Sequence, residues 1–281
     1  MAKRVTRKPA TSKRRPSKKK SSFFSAKFYV IVFFLALLCF GGYHYREALL
    51  YYFSFKSDKI AKEDKVYQAR IFQVLQKHQD KVLGFDVSQY QGAIDWEEVD
   101  SVEGVKLDYV FVRATAGSDK VDLKFEDNWT NARKYKFIRG AYHYYRPNEN
   151  SVEQAKNFIK NVKLQKGDFP PILDIERLPE NQSMDSLQQG LKRWLELVDN
   201  HYKIKPIIYT NEKYYTDFLK EEFKGYTFWI ANYNFFVENI KDDWLFWQFT
   251  EKARVEGIEE HVDLNIYNGT PKMLNYLTIS N

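Results

Sequence analysis

The chain has 281 residues, 44% of them hydrophobic and 17% aromatic, which is enough apolar material for a sizeable core and excludes a disordered protein overall. Its formal charge of +7 is a property of one end: Met1 to Tyr45 carries eleven Lys/Arg and no acid, so Arg46 to Asn281 is left at −4 once those eleven are taken from the total. A nucleic-acid-binding globular part loses its electrostatic basis, and the single cysteine, Cys39, excludes an intrachain disulfide or a multi-cysteine zinc site.

Residues 1–27 form a basic tail whose Lys, Arg, Ser and Pro content is too poor in apolar surface to fold alone. From Phe28 to Tyr43 there is no charge, and with its flanks the run approaches the roughly 20 residues that cross a bilayer. Residues 28–45 are therefore predicted to be a single membrane-spanning signal anchor. Its positive flank would stay in the cytoplasm, which would place the remainder on the outer, periplasmic or extracellular face of the cytoplasmic membrane. Gly41 and Gly42 leave open a cleaved signal peptide, although the long basic region and the bulky Phe40 and Tyr43 favour a retained anchor. The tail would also contact anionic headgroups.

Residues 46–81 read as a helical juxtamembrane stalk, with Val66, Ile71, Val74 and Leu75 at helical spacing. Beyond it, residues 82–281 show eight short apolar runs with strand character: 82–87, 109–114, 138–145, 171–175, 206–209, 228–231, 245–249 and 262–266. Amphipathic helices are expected over 124–135, 152–162 and 186–202, with shorter connections later. This alternation predicts an α/β fold, a single irregular TIM-like β/α barrel of mostly parallel strands.

Catalytic groups in such barrels gather at the carboxyl ends of strands. Asp86 ends the first run, Asp174 and Glu176 end the fourth, and Asp263 lies in the last. Residues i and i+2 of a strand share a face, so Asp174 and Glu176 would project together, and crowded carboxylates hold their protons with different strengths. A pair of solvated loop acids, or a salt-bridged strand end, is the alternative for these two residues taken locally. Tyr142 and Tyr144 on the third run, Tyr209 on the fifth, Trp229 on the sixth and Gln248 on the seventh occupy comparable positions. Acids converging with aromatics suit a carbohydrate, whose rings stack on aromatic faces and whose cleavage needs a proton and nearby negative charge. No cofactor is required. His143 reads as a core or rim residue, and His44, His78, His201 and His261 lack ligand spacing, so no metal is expected.

Gly84-Phe-Asp-Val-Ser-Gln-Tyr-Gln-Gly92, Arg139-Gly-Ala-Tyr-His-Tyr144, Pro171-Ile-Leu-Asp-Ile-Glu176, Ile208-Tyr-Thr210, Trp229-Ile-Ala-Asn-Tyr233, Trp247-Gln-Phe-Thr250 and Val262-Asp-Leu-Asn265 together resemble the ordered motifs of family 25 glycoside hydrolases. These are the Chalaropsis-type lysozymes, which cleave the β-1,4 bond after N-acetylmuramic acid in peptidoglycan. The resemblance implies an irregular barrel in which some later strands lack helices, and peptidoglycan glycan strands as the partner. It implies Glu176 as the general acid and Asp174 as its assistant, orienting and polarising the substrate N-acetyl group. Asp86 and Asp263 complete the acidic cluster, and Tyr142, Tyr144, Tyr209, Trp229 and Gln248 are the implied sugar contacts. One stretch departs from the family pattern. The usual Lys-Ala-Thr-Glu-Gly, with a Tyr three residues beyond, is here Arg113-Ala-Thr-Ala-Gly117 and Lys120, which puts fine glycan preference in question. A hydrolase for another N-acetylated glycan and a non-catalytic glycan-binding scaffold are the rival readings; the four acids speak against the second. Oligomeric state has no signature in the sequence.

Overall fold

The computed structural model describes residues 26–54 and 62–280. Most of the expected basic tail and the middle of the expected stalk lie outside the described residues. The chain divides into two compact units, Met1–Arg46 and Glu47–Asn281.

In the first unit α1 (Ala26–His44) is a continuous helix, and none of the span Lys27–His44, of mean hydropathy 1.6, is buried against protein. Phe33, Leu38, Phe40 and Tyr43 all stand exposed. A helix apolar on every side has no stripe to direct toward a protein core.

The second unit is built on a closed barrel of eight strands: β1 (Val82–Val87), β2 (Val105–Ala116), β3 (Ile138–Tyr144), β4 (Ile172–Asp174), β5 (Ile207–Asn211), β6 (Thr227–Ala231), β7 (Phe246–Ala253) and β8 (Val262–Tyr267). All eight expected runs are strands. From β1 through β7 each pairs in parallel with the next. The last strand departs from an all-parallel TIM barrel: β8 is antiparallel to both β7 and β1 and closes the circle. The reason is connection length, because the short link from Ala253 to Val262 holds no helix that could carry the chain back for a parallel return.

Helices cover the first part of the barrel. They are α4 (Phe125–Lys134), α5 (Ser151–Asn161) and α6 (Met184–Tyr202), close to the three expected. Asn150 caps α5 by accepting from the amides of Val152 and Glu153, and Ser183 caps α6 by accepting from Ser186 N. Alternation along β2 sorts its side chains. Val110 and Val112 join the layer under the helices, while Tyr109 and Phe111 fill the barrel with Phe169, Phe246 and Trp229. These rings pack edge-on or tilted, Phe111 lying 4.5 Å from Trp229 and 5.1 Å from Phe246 by centroids. Gly84 makes room for the plug, since a Cβ there would sit 2.4 Å from the Tyr109 ring.

Upstream of the barrel the described residues form α2 (Arg46–Ser54) and α3 (Lys62–Lys77). Two described parts of the segment read as a stalk are thus helical, but α3 does not stand clear of the barrel. Ile71, Val74 and Leu75 are buried in the main core, and His78 lies edge-on to Trp247 of β7 at 6.0 Å. The apolar spacing that suggested a helix is the face it buries. With no helix following β7, α3 covers that strand from the other end of the chain.

Candidate active site

A cleft of about 700 Å³ lies at the carboxyl ends of β1 to β4 and the amino end of the antiparallel β8, and its lining includes Asp86, Tyr142, Tyr144, Asp174, Glu176 and Asp263. Register explains the meeting. Tyr144 pairs with Asp174 and Asp174 with Tyr209, while Asp86 of β1 stands directly opposite Asp263 of β8. Two like charges at facing positions destabilise a ladder, so the arrangement requires compensation.

Gln248 and Asn265 supply it. Gln248 Nε2 donates to Asp86 Oδ2 at 2.8 Å and to Asp263 Oδ2 at 3.0 Å, and Asn265 Nδ2 donates to Asp86 Oδ2 at 2.8 Å. The amides are held in turn, because Tyr209 and Tyr233 both donate their hydroxyls to Gln248 Oε1 and Trp229 Nε1 donates to Asn265 Oδ1 at 2.7 Å. Asp86 is 7% exposed, and burial pushes its carboxyl up to about 7 although both amides favour the charged form. Asp263 is raised well above the usual carboxylate range, by burial first and then by the charge of Asp86.

Across the cleft, Asp174 is buried at the end of β4, and Glu176 follows where the chain leaves the strand and is open to solvent. Asp174 Oδ1 is enclosed without a donor among the described residues, yet the carboxyl is in hydrogen-bond contact with Glu176. Two carboxyl groups in contact need a proton between them. Burial, then the neighbouring Glu176 charge, raises Asp174 well above the ordinary range; partial desolvation on the side that faces the cleft raises Glu176 as well. The pair therefore retains a proton at pH values where isolated carboxylates are ionised.

The site residues named from sequence separate into two layers. Asp86, Asp174, Glu176, Asp263, Tyr142 and Tyr144 border the cleft. Trp229 and Gln248, 2% and 1% exposed, and buried Tyr209 sit behind the acids in the barrel interior and are not part of the cleft wall. Sequence reading did not single out Asn265 or Tyr233. Asn265 is two residues beyond Asp263, and Tyr233 ends the run begun by Trp229, so the signal for each was a period-2 or motif neighbour. Arg113 donates to Asp122 at 2.7 Å and lies 4.6 Å from the Tyr90 ring at one flank of the cleft, where Ala116 and Lys120 are also found. Arg177 borders the cleft beside Glu176, its guanidinium 5.9 Å from the Tyr144 ring.

His143 is fully buried. It hydrogen-bonds Thr115 Oγ1 at 2.7 Å and Gln154 Oε1 at 3.2 Å and stacks on Trp194, and burial lowers it to about 4. It is a neutral core histidine at ordinary pH.

Comparison with known proteins bears on this geometry. The model of glycosyl hydrolases family 25 matches residues 85–258. The Escherichia coli K12 protein YegX is 37% identical over 198 residues, 69% of this chain and 72% of its own length. Lysozyme M1 of Streptomyces globisporus is 31% identical over 209 residues, 69% of this chain and 70% of its own. Among solved structures, a family 25 glycosyl hydrolase from Bacillus anthracis superposes with a TM-score of 0.64 at 29% identity, covering 72% of this chain and 95% of that one. The matched span contains three of the four clustered acids and the strands that carry them, and the chain is a glycoside hydrolase belonging to glycosyl hydrolases family 25.

Proposed function

We propose that the chain is a membrane-anchored N-acetylmuramidase that hydrolyses the β-1,4 bond between N-acetylmuramic acid and N-acetylglucosamine in peptidoglycan. The observation that carries the reading is the contact between the Asp174 and Glu176 carboxyls at the mouth of the acidic cleft, facing Asp86 and Asp263. The lysozyme names of relatives such as Lysozyme M1 support the substrate.

In the proposed mechanism the acetamido N–H of the bound sugar donates to the Asp174 carboxyl where it borders the cleft. With that acceptor occupied, the shared proton resides on Glu176. Glu176 passes it to the glycosidic oxygen as the bond from that oxygen to the anomeric carbon breaks, and the acetamido oxygen attacks the carbon left electron-poor. Water then adds to the anomeric carbon, displaces the acetamido oxygen and returns a proton to Glu176. Where the Asp86–Asp263 pair is ionised it supplies negative charge opposite the developing cation, while Tyr142 and Tyr144 contact the sugar. Tyr209, Trp229 and Gln248 act from behind, fixing the acids and not touching the glycan.

The apolar, unburied α1 supports the anchor. An anchor would confine cleavage to a shallow zone above the membrane, as remodelling requires.

The test is mass spectrometry of fragments released from purified peptidoglycan by the full chain, wild type beside Glu176→Gln. Fragments ending in reducing N-acetylmuramic acid are expected from the wild type, with turnover lowered about 10²- to 10⁴-fold in the variant. Undiminished turnover by Glu176→Gln would overturn the assignment of the acid, and fragments with a different reducing sugar would favour another N-acetylated glycan.

A further inference from the structure

The loop from Asn232 to Asp243, between β6 and β7, enters the catalytic network at one end and is held from outside at the other. At its inner end Asn232 N donates to Gln248 O at 3.0 Å, Trp247 Nε1 donates to Asn232 O at 2.9 Å, and Tyr233 donates its hydroxyl to Gln248 Oε1. A few residues on, α3 grips the loop. Gln73 Nε2 donates to Glu238 Oε1 at 2.9 Å, and Lys77 Nζ to Glu238 Oε2 at 3.0 Å. The His78 ring hydrogen-bonds Glu238 O at 2.8 Å, and the buried guanidinium of Arg70 donates to the carbonyls of Asn234 and Val237. The Glu238 side chain is only 11% exposed, against 40% for Lys77, so this is a seated carboxylate and not a surface ion pair.

We infer that α3, which precedes the family-matched region 85–258, is a positioning element of the active site: through Glu238 it fixes the loop that sets Tyr233 against Gln248. Gln248 has one carboxamide to serve four partners, accepting from two tyrosines and donating to two carboxylates. Its orientation decides whether Asp86 and Asp263 receive their N–H donors. Losing Tyr233 from Oε1 frees the amide to turn. Asp86, faced by Asp263 on β8, Asp174 on β4 with Glu176 after it, Tyr109 on β2, Tyr142 on β3 and Tyr209 on β5, then keeps its proton to higher pH, because hydrogen bonds from Gln248 favour its charged form. The inference rests on the acids being catalytic, as proposed above.

The test uses the full chain in detergent on insoluble peptidoglycan, measuring kcat per folded molecule and its pH profile for Glu238→Ala, Tyr233→Phe, their combination, and Gln73→Ala with Lys77→Ala. Each of the first two is expected to lower kcat about fivefold, the worth of one neutral hydrogen bond, and to move the acid limb of the profile upward. The combination is expected to fall no lower than Tyr233→Phe alone, since both act through one contact. The α3 pair should reproduce the upward limb without altering the loop sequence, and Glu238→Gln, which keeps an acceptor for Lys77, should restore most of the rate. A merely structural α3 would lower melting temperature and folded yield but leave kcat per folded molecule and the limb in place. That result, or additive losses in the combination, would overturn the inference. Glu176→Gln run alongside separates the two ideas: if it stays active the acid assignment fails, whatever α3 does.

Discussion

Removing the charge of Asp86 should stabilise this fold. The carboxyl is buried beside Asp263 and rises from the ordinary 3.8 to about 7, so between those values the folded chain binds a proton that the unfolded chain has released. For an acid raised on folding, stability is complete below the unfolded value and is lost as pH climbs through the folded one. The gap corresponds to about 4 kcal/mol at pH 8, a ceiling because Asp263 shares the proton. Asp86→Asn removes the penalty and keeps the geometry. The carbonyl oxygen of the substituted amide can accept from Gln248 and Asn265 where Asp86 Oδ2 does now, and its N–H can donate to the Asp263 carboxylate.

Thermal unfolding of the full chain in detergent, followed by near-ultraviolet circular dichroism, reads the barrel aromatics. The variant is expected to melt higher than wild type at pH 8 by several degrees, about 2 to 4 °C per kcal/mol for a domain of this size, with the advantage nearly gone at pH 4. Glycan cleavage should fall at the same time, the usual exchange of stability for function at a charged site. An Asp86→Asn protein that melts lower than wild type by the same margin at both pH values would refute the reasoning, because Asp86 would then be ionised in the fold without penalty.

Other perturbations probe other parts of the account. Arg177 lowers the proton affinity of Glu176 by its charge, so Arg177→Gln should move the alkaline limb of the activity profile upward, as a pH series of initial rates would show. Gly84→Ala would drive a Cβ to 2.4 Å from the Tyr109 ring, which is wedged among Phe111, Phe169 and Phe246; overpacking of about 1 to 3 kcal/mol should lower the melting temperature at every pH. If α1 is the proposed anchor, the protein sediments with membranes at its full mass and resists alkaline extraction. Recovery of a soluble form beginning near Gly42 would show cleavage instead.

Much of the barrel was legible because each strand is a short apolar run with turn residues on either side, and Asp86, Asp174 and Asp263 fall at strand positions that period-2 alternation can place. What escaped depends on contacts between distant residues. Periodicity assigned Ile71, Val74 and Leu75 to one helix face but could not say that the partner of that face was β7, more than a hundred and fifty residues away. The antiparallel course of β8 is a matter of pairing, which a run of apolar residues does not encode. Sequence places Trp229 and Gln248 near the sugar because aromatics and amides beside acids often contact one. In the fold they face inward, and their hydrogen bonds end on Asn265 and on the two carboxylates.

That inward layer explains how the chain keeps four acids on one rim. Each carboxylate at the mouth is opposed by burial and by its neighbours, and no Lys or Arg pairs directly with Asp86 or Asp263 among the described hydrogen bonds. Neutral amides do the holding. A buried cation would neutralise the cluster and remove the negative field that the proposed mechanism uses, whereas Gln248 and Asn265 orient the oxygens without adding positive charge. The amides can be rigid donors only because tyrosine hydroxyls and an indole N–H fix their other ends. One of those tyrosines, Tyr233, is carried by the loop that α3 holds. On this argument α3 belongs with the barrel, in keeping with the compact unit Glu47–Asn281, because it holds the loop that carries Tyr233.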